Sequence, residues 1–218
     1  MEIQRIDGYA DRRFSKTVLC QHGAYLIGGE PYEVEIIGAE TATVRGRDRA
    51  AYEELIGTFR FHAPHVVRFF DADGALLKEL PAPEIVTVPL DRIRPSQFYI
   101  DEEKLAAVGT FIRSAEDIVI QVIPWEDRFV SLDGHTRLYL AAQRGYPSVN
   151  AVVSETDDWI RTFVREAERR GIRQPKDLIL LDHARYEVLW NQYCDAVFAG
   201  QREEKLERKR EDRYETGF

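Results

Sequence analysis

The chain has 218 residues, of which 44% are hydrophobic and 31% charged, a composition typical of a folded globular protein and not of a disordered one. It carries 30 basic and 38 acidic residues, for a formal net charge of −8, and no segment has a basic surplus, which argues against a nucleic-acid partner. No apolar run reaches the roughly 18 residues of a membrane-spanning helix. A polar amino terminus and two widely separated cysteines, Cys20 and Cys194, predict a cytoplasmic protein without disulfides.

Residues 1–83 have the pattern of a strand-rich N-terminal unit. The Gly28–Gly29 pair predicts a hairpin turn, and a second turn is expected at 71–74. Pro81 and Pro83 mark the end of the unit, because proline lacks the donor of a strand ladder. The predicted strands are Leu19–Ile27, Tyr32–Ile37 and Thr41–Val44, followed by a short helix over Ala50–Ile56.

Residues 84–153 alternate strands with helices. Leu105, Val108 and Ile112 share one face of a helix that is predicted over Asp101–Arg113. Two runs rich in β-branched residues predict buried strands, and a second helix is expected between Gly134 and Gly145. The predicted strands are Ile85–Leu90, Ile118–Trp125, Phe129–Leu132 and Ser148–Val153.

Residues 154–200 have a helical pattern, because large apolar residues recur at four-residue steps. The rows are Trp159, Phe163 and Ala167, then Tyr186, Trp190 and Cys194. The charged tail 201–218 is interpreted as a solvated helix extension or as disorder. The whole pattern predicts an α+β fold, with a central α/β domain between a strand-rich unit and C-terminal helices.

The segment Asp133-Gly134-His135-Thr136-Arg137 concentrates polar residues at the junction of a predicted strand and a predicted helix. Such a junction aims backbone N–H groups and the positive end of a helix dipole at one point, where an anion can bind. Thr136 adds a hydroxyl, Arg137 adds a forked set of donors, and His135 can donate or carry a proton. The rival interpretation makes Asp133 a helix cap and Arg137 a surface charge.

The order of elements from Val88-Pro89-Leu90-Asp91-Arg92-Ile93-Arg94-Pro95 to the Asp133–Ala142 segment resembles the ParB/sulfiredoxin-like superfamily. Members carry a Gly-x-x-Arg element at a helix start, where it contacts nucleotide phosphates within a compact α/β domain. Gly134 and Arg137 match the fixed positions of that element, and Ala141 matches a small residue that packs the helix on the sheet. The resemblance covers about 65 residues and implies a ParB/sulfiredoxin-like central domain that binds a nucleotide.

Three branches of the superfamily differ in the residues around this glycine. Partition proteins carry Gly-Glu-Arg-Arg and a basic helix-turn-helix region, whereas this chain has His135 and Thr136 and no basic surplus in 154–218. Sulfiredoxins place a reactive cysteine where His135 stands. Free-serine kinases carry Asp-Gly-His-His-Arg, which differs from this chain only at Thr136, so the motif resembles that branch most closely.

The kinase-like resemblance implies ligands as well as a fold. The implied cofactor is ATP or ADP, with CTP as a further option, together with Mg²⁺. The residues that would contact the nucleotide are Gly134, His135, Thr136 and Arg137, and Asp133 would contact the metal.

The base of that branch is a glutamate, and its place here is held by Gln97, whose amide cannot accept the proton. Glu102, Glu103, Asp133 or His135 are the candidates to replace it. The first hypothesis is therefore a phosphotransferase that acts on a small hydroxyl compound such as serine.

Two alternatives stay open. One is a non-catalytic module that senses a nucleotide or meets a protein partner, including a second copy of the chain. The other is a DNA-binding, partition-like or nuclease protein. The His62-Ala63-Pro64-His65 segment is interpreted as structural, because zinc sites need three or four ligands.

Overall fold

A computed structural model describes residues 2–156 and 158–200, which form two larger β-sheets, one small sheet and the helices that pack on them. The predicted α+β class is confirmed by this mixture of elements. The charged tail 201–218 lies outside the described residues. Among the described helices, none is both long enough and apolar enough to cross a membrane.

The N-terminal sheet has six strands that follow one another in chain order. All neighbours are antiparallel except the fourth and fifth strands, which are parallel because a helix connects them. The elements are β1 (Ile3–Arg5), α1 (Lys16–Cys20), β2 (Ala24–Ile27), β3 (Glu30–Gly38), β4 (Thr41–Gly46), α2 (Tyr52–Arg60), β5 (Arg68–Phe70) and β6 (Leu76–Glu79).

One prediction in this unit is wrong. The strand expected over Leu19–Ile27 begins only at Ala24, because the preceding residues form α1. Ser15 starts that helix, since its hydroxyl accepts a hydrogen bond of 3.2 Å from the backbone of Val18. The turn predicted at 71–74 is confirmed, with Gly74 at a φ of +81°.

The central sheet has five strands, in the spatial order β7-β12-β10-β11-β8. β10 and β11 form an antiparallel hairpin, and each has a parallel neighbour on its outer side. The elements of this region are β7 (Ile85–Pro89), β8 (Ile93–Pro95), β9 (Tyr99–Asp101), α3 (Glu102–Gly109), β10 (Val119–Trp125), β11 (Arg128–Asp133), α4 (His135–Gln143) and β12 (Ser148–Val153).

Helices α3 and α4 cover the core of the central sheet. Leu138 and Ala141 of α4 are fully buried against sheet residues such as Ile120 and Val122. Burial of a leucine side chain such as that of Leu138 stabilises the fold by about 1.5–3 kcal/mol. This contact therefore fixes the start of α4 against the ends of β10 and β11.

The C-terminal region contains α5 (Ile160–Arg169), β13 (Ile179–Leu181) and α6 (His183–Tyr186). A π-helical stretch, Glu187–Asn191, follows α6, and residues 192–200 are helical. β13 pairs in parallel with β9, a strand pair that the helical pattern did not predict. The predicted aromatic rows form core contacts, with the rings of Trp159 and Phe163 5.5 Å apart.

Candidate functional site

A cavity of about 490 Å³ lies between the N-terminal sheet and the central sheet. Its volume is within the usual range of small-molecule sites, about 300–1,000 Å³. The whole Asp133–Arg137 segment lines one wall, together with Lys104 of α3. The N-terminal unit supplies the opposite wall, where Arg5 and His62 lie.

The turn into α4 depends on Gly134. Its φ of +85° is in the left-handed region that other residues seldom adopt. A Cβ atom at this position would lie 2.6 Å from Cγ2 of Ile120 and 3.1 Å from Nε of Arg137. Glycine therefore lets the backbone turn close to the sheet and directs the first turn of α4 toward the cavity.

The amino terminus of α4 has no side-chain cap. Gly134 occupies the cap position, so the backbone N–H groups of residues 135–137 donate to no capping side chain within the described part of the chain. With the helix dipole, these groups form a positively polarised surface beside the cavity. The half-buried side chain of Thr136 lies at the same point.

Arg137 is partly committed to the protein itself. One terminal nitrogen donates to Oδ2 of Asp133 at 2.9 Å, and the other donates to the carbonyl of Val119. The side chain is only 17% exposed. The guanidinium has five N–H donors, so some stay free for a ligand, but Arg137 also holds the turn in place.

His135 faces the cavity from the first turn of α4, but its imidazole is engaged in the core. Nε2 accepts a hydrogen bond of 3.2 Å from the backbone of Ser96, and the Ser131 hydroxyl lies 2.9 Å from the same nitrogen. Burial and the charge of Arg137, opposed by Asp133, lower the pKa of His135 to about 4. The ring is therefore neutral at pH 7 and is fixed as an acceptor.

Asp133 is ionised and paired. Burial opposes its charge, but the charge of Arg137 and a hydrogen bond from the backbone of Gly134 outweigh burial and leave the pKa of the carboxyl lowered. Among the described residues, no group of three or more His, Cys, Asp or Glu side chains is placed to hold a metal. Magnesium contact at Asp133 therefore stays a prediction.

The candidates for a general base are dispersed. Gln97 lines the cavity, and its amide donates to the carbonyl of Tyr99 at 2.5 Å and to the hydroxyl of Tyr186 at 3.2 Å. Glu102 and Glu103 begin α3 as exposed residues and do not line the cavity. The structure therefore brings the amide, and not either glutamate, to the site.

Sequence reasoning missed the opposite wall. Arg5, His22, His62 and His65 come from the N-terminal unit, and no motif links them to the Asp133–Arg137 segment. The sequence does show His62 and His65 as a pair, but their spacing suggests only a metal motif and not a shared cavity with the Asp133–Arg137 segment. Lys104 was also missed; in the described chain its ammonium forms no salt bridge and lies 5.1 Å from the centroid of the Tyr186 ring.

Comparisons with known proteins find structural similarity over only part of the chain. No protein-family model matches the chain, and no curated protein matches its sequence. Among solved structures, it is similar to a protein from Agrobacterium tumefaciens, with 16% identity, a TM-score of 0.33, and coverage of 44% of this chain and 62% of that one. It is also similar to sulfiredoxin from Arabidopsis thaliana, with 17% identity, a TM-score of 0.25, and coverage of 42% of this chain and 99% of that one.

A sulfiredoxin is thus among the structures that resemble this chain, over less than half of its length. The likeness concerns the fold alone. The chain spans less than two thirds of the Agrobacterium protein, and nothing about a ligand or an activity passes from either structure to this one.

Proposed function

We propose that this protein binds the phosphate groups of a nucleotide in the cavity, at the turn from Gly134 to Arg137, and that it acts as a non-catalytic nucleotide-binding module. One observation carries the proposal: the uncapped amino terminus of α4 opens into a cavity of ligand size. Backbone N–H groups at such a terminus bind phosphate oxygens without any side-chain rearrangement.

The charges around the cavity support an anionic ligand. Three carboxylates line it: Asp133 is paired with Arg137, Asp117 accepts bonds of 2.7 and 2.9 Å from two backbone N–H groups, and hydrogen bonds from its own backbone and from Ser114 lower the pKa of Glu116. Lys104 forms no salt bridge among the described residues, although its charge also acts on Asp7. A phosphate beside α4 would give this ammonium a counter-charge, and charge-assisted bonds contribute about 1.5–3 kcal/mol each.

Among the described residues, an amide and not a carboxylate holds the place of the expected base, which favours binding over phosphoryl transfer. The residue that would take the proton in a kinase of this type is replaced by Gln97, an amide that already donates two hydrogen bonds. His135 accepts its bonds inside the core, and its pKa of about 4 makes it a weak base. Phosphotransfer to serine therefore ranks second.

A charge substitution at Thr136 tests the site. Thr136→Asp places a carboxylate at the second residue of α4, where a negative charge stabilises a helix by about 0.3–1 kcal/mol. We expect this variant to keep or raise its melting temperature and to lose nucleotide binding by more than tenfold, because the new charge repels phosphate. Thr136→Asn is the matched neutral control; it keeps a hydrogen-bonding side chain and should lose much less binding than Thr136→Asp.

The measurement is isothermal titration with ATP, ADP and CTP, each with and without Mg²⁺. No binding of any nucleotide to the wild type, or equal binding by the Asp and Asn variants, would overturn the proposal. Consumption of the nucleotide in the presence of serine would show instead that the protein is a phosphotransferase.

A further inference from the structure

We infer that the ligand carries a second anionic group, and that Arg5 and His62 of the N-terminal unit bind this group across the cavity from α4. The inference rests on the proposed function and extends it, because it assigns half of the site to residues outside the sulfiredoxin-like region. The ligand class is then a compound with two neighbouring anionic groups, of which pyrophosphate is the simplest.

His62 lines the cavity near cationic groups. The charges of Arg5 and of Arg137 both act on its ring, although these arginines belong to opposite walls of the cavity. His62 therefore lies within electrostatic range of both arginines and lines the same cavity as they do.

The imidazole of His62 is available to bind a ligand. Within the described residues its ring forms no hydrogen bond and makes an edge-to-face contact with Phe61, with the ring centroids 5.0 Å apart. Burial and the charges of Arg5 and Arg137, partly opposed by Asp133, lower the pKa of His62 to about 4. The neutral ring still carries one N–H, which can donate to an anionic oxygen.

The guanidinium of Arg5 is also available to bind an anion. Its Nε donates to Oδ1 of Asp7 at 2.8 Å, which orients the side chain and leaves both terminal nitrogens without a bonded partner in the described chain. Terminal guanidinium nitrogens bind two phosphate oxygens at once, and this geometry favours phosphate over a monovalent anion. Arg5 lines the cavity that α4 enters.

A metal would be the other use for clustered histidines, and the geometry does not support it. His22 and His65 also line this wall, each with a buried Nδ1 that has no hydrogen-bond partner. Even so, no three potential ligands among the described residues are grouped to hold a metal. The wall therefore offers N–H donors and a guanidinium, which match an anionic group.

Titration with inorganic pyrophosphate and orthophosphate tests the inference on the full chain. We expect the wild type to bind pyrophosphate at least about tenfold more tightly than orthophosphate, since one extra charge-assisted contact is worth at least that ratio. Arg5→Gln should remove most of this preference while it changes orthophosphate affinity less than about threefold. Arg47→Gln is the matched control, because Arg47 is exposed and does not line the cavity.

The outcomes separate the two proposals. If the wild type binds neither these anions nor a nucleotide, the proposed function fails; if it binds a nucleotide but neither anion, the second subsite is wrong. If it binds both with equal affinity, or if Arg5→Gln leaves the preference intact, the second subsite is wrong and the α4 site stands. If Arg5→Gln does not fold, His62→Gln decides: a reduced preference supports the inference, and an unchanged preference overturns it.

Discussion

At the scale of single residues, His135 shows how the fold sets the chemistry of a motif. A histidine beside a glycine turn can donate to a phosphate or move a proton. Here Nε2 is committed to Ser96 and Ser131, and the Ser96 hydroxyl in turn donates to the carbonyl of Ser131 at 2.7 Å. This network ties the start of α4 to the ends of β8 and β11.

The neutral state of His135 predicts acid sensitivity. Burial lowers the pKa of His135 to about 4, whereas the unfolded residue titrates near 6.5. The unfolded state therefore takes up a proton first, so the free energy of unfolding should be intact above about pH 6.5 and should fall toward about pH 4. His62 and His65 have pKa values of about 4 as well and share this window.

Urea denaturation between about pH 7 and pH 4 measures this effect. His135→Gln keeps an acceptor near the position of Nε2 but cannot titrate, so it should give a shallower decline of stability with acid than the wild type. An identical pH dependence in the two proteins would contradict the buried, neutral state of this imidazole.

At the scale of elements, the junction of β11 and α4 relies on both the conformation and the size of Gly134. A residue with a Cβ atom is strained at this positive φ, and Ile120 leaves no room for a Cβ atom. Gly145, after the end of α4, has a similar positive φ of +69°, but a Cβ atom there would meet no other atom within 4 Å.

These two glycines form a matched pair for substitution. Gly145→Ala should cost about 1 kcal/mol, because only the left-handed backbone is strained. Gly134→Ala should cost about 2–4 kcal/mol, since the contact with Ile120 adds overpacking to the same strain. Urea denaturation compares the two variants, and equal losses would show that the close approach at Gly134 is not needed.

At the scale of the whole molecule, contacts between the units set the shape of the cavity. The amide of Gln121 in β10 donates to the carbonyl of Phe61, directly before His62, and accepts from the hydroxyl of Ser154 at 3.2 Å. The hydrogen bond to Phe61 joins the His62–His65 segment of the N-terminal unit to the central sheet. The two walls of the proposed site are thus held together by a buried polar side chain.

The C-terminal helix is joined to the central region by His183. Its Nδ1 lies 2.8 Å from Oδ2 of the buried Asp101, which raises the pKa of His183. A raised pKa in the folded state means that this stabilisation is complete below the unfolded value near 6.5 and is lost as the pH rises through the folded value. Stability should therefore decrease as the pH rises above about 6.5, on the alkaline side of the decline caused by the buried histidines.

Chemical denaturation across this alkaline range tests the contact. His183→Gln should remove the loss of stability above about pH 6.5 and leave the acid decline of the other histidines in place. If the variant and the wild type lose stability in parallel over this range, the pair with Asp101 does not contribute to it.

The sequence by itself determined the local elements of this protein. Strand β12 was predicted with its observed bounds, and the turn at Gly134 was located, because alternation of apolar residues and glycine punctuation act over a few neighbouring residues. The α+β class followed from the same local patterns. The phosphate-binding interpretation of Asp133–Arg137 stays a prediction.

Only the tertiary structure decided which residues meet at the cavity. Arg5, His62 and Lys104 are far apart in sequence, and their convergence depends on how two sheets pack. The pairing of β9 with β13 was likewise hidden, because each strand has three residues and its partner lies about 80 positions away. Periodicity carries no information about such distant contacts, whereas packing and buried hydrogen bonds fix them.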